Sequence, residues 1–545
     1  MDERQSTAVF LYHEQTKHHF HRFSRSLGYM DWKNQPAPFR SFSQTKRIPL
    51  PLLRKDPEAG HLDLYARENN PQRPMTIENI AAFLELSLGL SAWKAVSGSR
   101  WSLRINPSSG NLHPTECYLI LPTLNFFEAG GVYHYNPLDH ALEVRAEVGE
   151  DIWKVIYDHF GCEGFFVGLG SIYWRESWKY GERAFRYCNL DVGHAVAALS
   201  FSANLQGWRV NCLNALSDKQ VGTVLGFDRT QWRDLEEEAP EVLCFVCANS
   251  AECNSMGLPG EIVSAFAKIG FQGLPNPLSA KRHRWEAIDS VHLALRKPET
   301  EEQRFSYGRK SFYNEPPSTL SAARIIRQRR SGLAFDETGF LKKNQFLSIL
   351  DKTIPRNDCA PFDMQPGEPC VDLFLFVHNV HGLASGLYFY FRSEQRLEDM
   401  RRATDPSFLW DRVDKDEPLY LLQKGDFRQI AARLSCNQEI AGYGVFSLGM
   451  IAVFSEIIEN EPYRYRRLFR EAGMIGQVLY LEAEAHGIRG TGIGCFFDDP
   501  VHDLLGLSGN SYQSLYHFAA GLPIEDPRLV TLPPYAHLER AGTET

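Results

Sequence analysis

Apolar positions along the chain follow two periods. Val242-Leu243-Cys244-Phe245-Val246-Cys247-Ala248 is an unbroken apolar run of strand length, the pattern of a strand buried on both faces. Cys117–Leu121 and Gly131–Tyr135 also read as strands. Residues 191–207 instead carry apolar positions at helical spacing and stop at Gly207. The pattern then recurs. At a shift of 280, residues 191–227 lie without gaps over residues 471–507, with Gly193/Gly473, Leu199/Leu479, Ala203/Ala483, Gly207/Gly487, Arg209/Arg489 and Asp218/Asp498 among the identities. Each copy reads as helix, short extended stretch, helix. Upstream, a shift of 255 sets Cys117–Leu121 over Asp372–Phe376 and Gly131–Tyr135 over Gly386–Tyr390. Because the shift grows, the second copy must hold about 25 extra residues, for which the charged segment 400–440 has room.

The repeat predicts two homologous α+β domains, 1–260 and 316–545, joined by a polar linker, 261–315, that contains Lys281-Arg282-His283-Arg284. Duplicated domains pack as a pseudo-twofold pair, which places a ligand cleft between them. The length of 545 residues at 43% hydrophobic content agrees, being too great for one ordinary core. With 67 acidic and 58 basic residues the net charge is -9, which argues against nucleic acid as a partner. No run of ~18 apolar residues offers a membrane span, and the polar start of the chain lacks a secretory signal, so a cytoplasmic location is expected. The 11 cysteines are sparse and irregularly spaced, as reduced buried thiols are. Cys244 and Cys247, three apart on a strand, point to opposite faces and cannot share a metal ion. His13, His18, His19 and His21 read as a polar, partly helical face, and no metal site is expected.

Three local sequences carry candidate chemistry. Arg104-Ile105-Asn106-Pro107-Ser108-Ser109-Gly110-Asn111-Leu112-His113-Pro114 holds small hydroxyls, a glycine and an amide between two prolines, a loop able to hydrogen-bond a polar heterocycle or phosphate. The same residues read equally as a polar turn before a strand. Arg329-Arg330-Ser331 ends a helical segment and suits a phosphate, although an exposed basic helix end has the same composition. Gly490-Thr491-Gly492-Ile493-Gly494 lets backbone N–H groups approach a flat ring, or is a plain turn.

In this order the segments resemble the nitroreductase superfamily of flavin enzymes, in particular its SagB-type dehydrogenase branch. Pro107-Ser108-Ser109-Gly110-Asn111-Leu112-His113-Pro114 is similar to the family's flavin-contacting P-S-S-x-N-x-x-P, with Arg104 at the place of the branch's preceding arginine. Arg329-Arg330-Ser331 resembles its R-R-S, and Gly492-Ile493-Gly494 its glycine loop beside flavin N5. Lys179-Tyr180-Gly181-Glu182-Arg183, followed by Tyr187 and Asp191-Val192-Gly193-His194, is similar to the branch's K-Y-G-E-R and D-x-G-H segments. The resemblance implies a largely antiparallel sheet flanked by helices and FMN bound at a dimer interface. Here each copy keeps a different part. The shift of 255 sets Phe362-Asp363-Met364-Gln365-Pro366 opposite the P-S-S-x-N loop, and the shift of 280 sets Cys212-Leu213-Asn214 opposite the glycine loop. One composite site, and one FMN per chain, is the expectation, the chain having absorbed both subunits of an ancestral dimer. Leu333 stands where relatives carry a further cation, and Arg528 is a candidate substitute.

The resemblance also assigns Lys179 and Tyr180 to proton transfer while flavin accepts hydride from a peptide azoline or small molecule. A lysine desolvated beside a ring can serve as a base, and a tyrosine can relay or orient. The second copy has Glu459-Asn460 there. Two other readings stand beside this one: a reductase of nitro compounds, quinones or flavin that uses NAD(P)H, and a non-catalytic flavin-binding or scaffold protein.

Overall fold

A computed structural model describes residues 3–124, 129–248, 257–303, 305–309, 311–364 and 367–541. Each half builds its own antiparallel sheet. In the first half the strand order is Arg47–Pro49, Ala141–Val148, Gly130–Asn136, Thr115–Leu121, Gly164–Ser171, Ala239–Cys247, Arg209–Cys212. The second sheet runs Asp411–Arg412, Leu419–Lys424, Gly386–Tyr390, Val371–Val377, Phe446–Val453, Tyr512–Pro523, with Phe335–Asp336 and Arg489–Ile493 both on the last of these. The orders correspond strand for strand through the centre, so the two sequence shifts express one topology used twice. The extra length of the second copy falls between Tyr390 and Leu419, earlier than the sequence reading placed it. It includes the helix Leu397–Ala403, where the first copy needs only the turn between Asn136 and Ala141.

The repeated helices, Ala184–Leu205 and Arg464–Ala485, cross at the middle of the molecule. Gly193 and Gly473 mark the crossing: a Cβ on Gly193 would overlap the Arg470 carbonyl oxygen, and one on Gly473 the Leu190 carbonyl oxygen. Only glycine allows the two backbones this approach. Both helices end where the sequence predicts, on left-handed glycines, Gly207 (φ 68°) and Gly487 (φ 76°). One apolar cluster runs through both halves, from Phe83, Leu119 and Val167 to Leu373, Leu448 and Phe518. Cys244 belongs to this cluster and Cys247 to the one on the outer side of the first sheet, as residues three apart on a strand must.

The tails are exchanged. The N-terminal helix Glu3–Gln15 packs on the second half, with Phe10 against Phe454 and His13 bonded to Tyr465 and Gln513. The C-terminal strand Val530–Leu532 adds to the first-half hairpin Leu90–Val96 and Ser99–Arg104. His13 and His18 are therefore buried between the halves rather than spread on a polar face. Residues 261–315 do not hang free either: Leu274–Pro275 pairs with Phe42–Ser43, and Trp285 is buried. Among the described residues no helix is long and apolar enough to cross a membrane.

One cysteine expectation is corrected. Cys436 and Cys495 form a disulfide with Cα atoms 5.8 Å apart. After the helix Arg428–Leu434, Cys436 and Asn437 take left-handed conformations (φ 54° and 58°), and the resulting turn carries Cys436 to Cys495. Cys117, Cys188, Cys212, Cys244, Cys359 and Cys370 are free thiols.

Candidate active site

The 105–114 loop leaves the strand Ser99–Arg104 and is shaped by its own polar groups. Gly110, Asn111 and His113 are left-handed (φ 58°, 59° and 54°), conformations that glycine and asparagine tolerate best. The Asn111 amide donates to Ser102 O (2.9 Å), and Ser108 Oγ accepts the His113 N–H (2.8 Å). Ser109 fastens the loop to the long helix, donating its N–H (3.0 Å) and its hydroxyl (2.9 Å) to Asp191 Oδ1. The helix Tyr173–Tyr180 closes the other side: a Cβ on Gly110 would lie 2.6 Å from Tyr180 Oη and 3.1 Å from Lys179 Nζ.

The facing wall comes from the second half. Ser321 caps the helix Ala322–Gln328, and the chain leaves it extended at Arg329. Arg329 Nη2 donates to Arg104 O (2.8 Å), Arg330 Nη2 to Ser91 O (3.0 Å), and Ser331 Oγ meets Tyr480 Oη (2.9 Å). The strand Arg489–Ile493 lies alongside, with Gly332 N–H on Gly490 O (3.0 Å) and Gly492 N–H on Tyr480 Oη (2.8 Å). Gly492 on this strand and Gly494 just after it are needed for room. A Cβ at Gly492 would overlap Tyr516 Oη, and one at Gly494 would lie 2.6 Å from the Tyr187 ring. The Gly494 carbonyl accepts Tyr187 Oη–H (3.0 Å) and Arg183 Nη2–H (3.4 Å), so the Lys179–Tyr187 segment touches both loops.

Between these walls lies a cavity of about 490 Å³, within the ~300–1,000 Å³ range of small-molecule sites. Arg104, Pro107, Ser108, Ser109, Asn111, Tyr180, Arg329, Arg330, Ser331, Gly492, Ile493 and Gly494 all line it. Lys179 does not; its Nζ sits one layer back, behind Gly110, 5.1 Å from the Tyr180 ring centre. Arg528 is not brought to the site at all. It is 80% exposed and pairs with Asp526 (2.7 Å), because the turn after the last long strand points it to solvent. Sequence reasoning gave no role to Asp191 and His194, which line the cavity, although both stand in a segment it singled out. It had no signal for Tyr480, Tyr516 or Arg489, single residues on a helix and two strands that reach the cavity only through the fold.

The cavity is electrostatically divided. At one end Arg329 and Arg330 stand together, while the Arg104 guanidinium turns away to Pro38 O (2.7 Å) and the Arg175–Glu116 group. Burial, and for Arg330 also the Arg329 charge, pushes Arg104 and Arg330 down to about 10, and Arg329 is lowered too. Arg104 Nε and Arg329 Nε are buried with no hydrogen-bond partner among the described residues. Buried guanidinium donors without acceptors call for an anion. At the other end Asp191 is pushed up to about 7, burial outweighing the hydrogen bonds from Ser108 and Ser109. Glu176, one turn before Tyr180, is raised well above the carboxylate range by burial and then by Asp191.

Residues 326–522 match the sequence model of the Nitroreductase family. A presumed nitroreductase of Methanocaldococcus jannaschii is 24% identical over 161 residues, 28% of this chain and 75% of that protein. The crystal structure of a presumed nitroreductase from Anabaena variabilis superposes with a TM-score of 0.68 at 20% identity, covering 95% of this chain and 99% of that one. The chain thus has a nitroreductase-like α+β fold over nearly its whole length, and its second half is similar in sequence to the Nitroreductase family.

Proposed function

We propose that the chain is an FMN-dependent oxidoreductase of SagB type that dehydrogenates a small molecule or azoline-containing peptide at one composite site. The carrying observation is the cavity itself, to which the first half contributes the Pro107–Asn111 loop and the second half Arg329–Ser331 and Gly492–Gly494. Two halves of one chain thereby supply what a dimer would otherwise supply from two subunits.

The residues present fit FMN. Arg329 and Arg330, which line the cavity, offer positive charge to its phosphate, and the Ser108, Ser109 and Asn111 loop offers polar groups for its ring. FMN, when bound, supplies a two-electron acceptor for a hydride. The chain orients substrate against it, and the corner formed by Lys179, Tyr180 and their neighbours handles the proton.

Two measurements test this reading. Flavin absorbance per mole of purified protein is expected to give one equivalent, and two tightly bound equivalents would refute the composite site. Lys179→Ala is expected to keep FMN binding and stop anaerobic bleaching of the flavin by a synthetic peptide thiazoline. Bleaching by NADPH with none by thiazoline would assign a reductase instead, and a colourless protein that refuses FMN would assign a scaffold.

A further inference from the structure

We propose that Asp191 Oδ2 is the atom that receives the proton a substrate loses in this cavity, an assignment that rests on the dehydrogenase reading above. Three observations carry it. Asp191 lines the cavity, whereas Lys179 sits behind Gly110 and does not. The Ser109 bonds fall unequally on its two oxygens: Oδ1 accepts both the Ser109 N–H (3.0 Å) and the Ser109 hydroxyl (2.9 Å), while Oδ2 takes the longer arm (3.2 Å) of the shared N–H, and the Ser108 side chain also bonds the carboxylate. A carboxylate offers about four lone-pair sites, so one held to the substrate-facing loop through Ser108 and Ser109 still has room for a proton. Thirdly, Asp191 is 2% exposed and no cation acts on it among the described residues.

The surroundings fit the task. The titratable groups around Asp191 are Glu176 and Tyr180 on the helix Tyr173–Tyr180, Cys188 on its own helix, and Tyr516 on the strand Tyr512–Pro523. All are acids, and burial raises every one of them above its ordinary value. Among the described residues neither carboxyl oxygen of Glu176 has a hydrogen-bond partner, and the side chain is fully buried. Asp191, pushed up to about 7, changes protonation near neutral pH, where a general base works best. The balance closes. Dehydrogenation breaks two bonds to hydrogen on adjacent substrate atoms. One hydrogen leaves as hydride with its electron pair, for which the flavin is the acceptor. The electron pair of the other bond becomes the new double bond, and its proton goes to Asp191 Oδ2. Lys179, behind Gly110, positions Tyr180 and this corner.

The test uses the full-length protein. Infrared difference spectra between about pH 5 and 9, with and without FMN, are expected to show one carboxyl band with a midpoint near 7 in the wild type. That band should be absent from Asp191→Asn, which keeps the Oδ1 acceptor for Ser109. Flavin titration of the variant should show retained FMN binding. Anaerobic bleaching by a synthetic peptide thiazoline should slow by ~100-fold or more in Asp191→Asn and lose its acidic limb near pH 7. No carboxyl titrating near neutrality, or an acidic limb unchanged in Asp191→Asn, overturns the assignment. A thiazoline that bleaches neither protein overturns the dehydrogenase reading instead, and the infrared midpoint still decides whether Asp191 is the titrating group.

Discussion

Removing the Asp498 carboxylate tests how the two halves are locked around the cavity. Asp498 is 1% exposed and accepts Arg183 Nη1–H on Oδ2 (2.9 Å), Arg186 Nη1–H on Oδ1 (2.8 Å) and the His18 N–H on Oδ2 (2.9 Å). It thus ties the N-terminal segment and the first-half helix region to the helix that follows the glycine loop. Both guanidinium groups are buried. Hydrogen bonds to charged groups contribute roughly 1.5–3 kcal/mol each, and breaking a buried pair so that a charge is stranded costs about 3–5 kcal/mol. Asp498→Ala strands two, so a loss of about 4 kcal/mol is expected, read as a lower urea midpoint followed by tryptophan fluorescence. Because Arg183 also donates to Gly494 O, FMN affinity should fall together with stability. Substituting Arg186→Leu in the same background should recover part of the loss, since one stranded charge is removed. The pH dependence has a fixed sign. Burial raises the Asp498 carboxyl, but Arg183, Arg186 and the His18 N–H outweigh it and hold it well below the usual carboxylate range. Its contribution is therefore present above the unfolded value of about 4 and is lost as the medium is acidified below it. A midpoint shift worth under ~1 kcal/mol, or a loss equally large at pH 3 and pH 7, would refute the lock.

Three further outcomes are expected. Gly492→Ala should weaken FMN binding at least tenfold by displacing Tyr516, and Tyr516→Phe in that background should restore part of it by removing the overlapped hydroxyl; unchanged binding in Gly492→Ala would show that the strand yields freely. Cys436→Ser opens a link between residues 59 apart, for which chain entropy predicts about 4 kcal/mol of stability, so the urea midpoint of the oxidised wild type should exceed that of the variant, and a difference absent under oxidising conditions would contradict it. Asp191→Asn should make the flavin-free protein more stable at pH 8 than the wild type. The raised folded value favours the protonated form, so wild-type stability falls as pH rises from about 4 through about 7, and a variant no more stable at pH 8 would show that burying the charge carries no penalty.

The parts legible in the sequence were those written in local pattern. The predicted strands coincide with Thr115–Leu121, Gly130–Asn136, Ala239–Cys247, Val371–Val377 and Gly386–Tyr390, only Ala248 falling one residue outside, because continuous apolar runs leave a buried strand few alternatives. The repeat was legible because Gly193 and Gly473 are held by backbone contact, a constraint that no other residue satisfies. The cavity loops were legible because their residues are consecutive. What escaped depends on distance along the chain. Tyr480 and Tyr516 look like ordinary core aromatics until a helix and a strand bring them under Gly492. The Cys436–Cys495 link has no spacing signature, and Arg528 is a basic residue in the expected place whose turn faces outward.

The exchanged tails join two halves of like topology and unlike loops. Each tail completes the other half: His13, His18 and Lys17 bond Gln513, Asp498 and Asp499, while Val530–Leu532 and Tyr535 extend the hairpin that precedes the Pro107–Asn111 loop. A separate homodimer must build every element twice, since one sequence serves both subunits. Once both copies lie in one chain, a loop lost from one is still supplied by the other at the same cavity. The second half then has no use for its own P-S-S-x-N counterpart, where Phe362 is buried and Asp363 pairs with Arg67 of the first half. The first half likewise fills its glycine-loop position with Cys212 and Leu213, which pack in its two cores. Both counterpart positions are occupied by packing that joins or stabilises the halves, so the asymmetry reads as a division of labour fixed by the fold, with Arg329 of one half and Asp191 of the other lining one shared cavity.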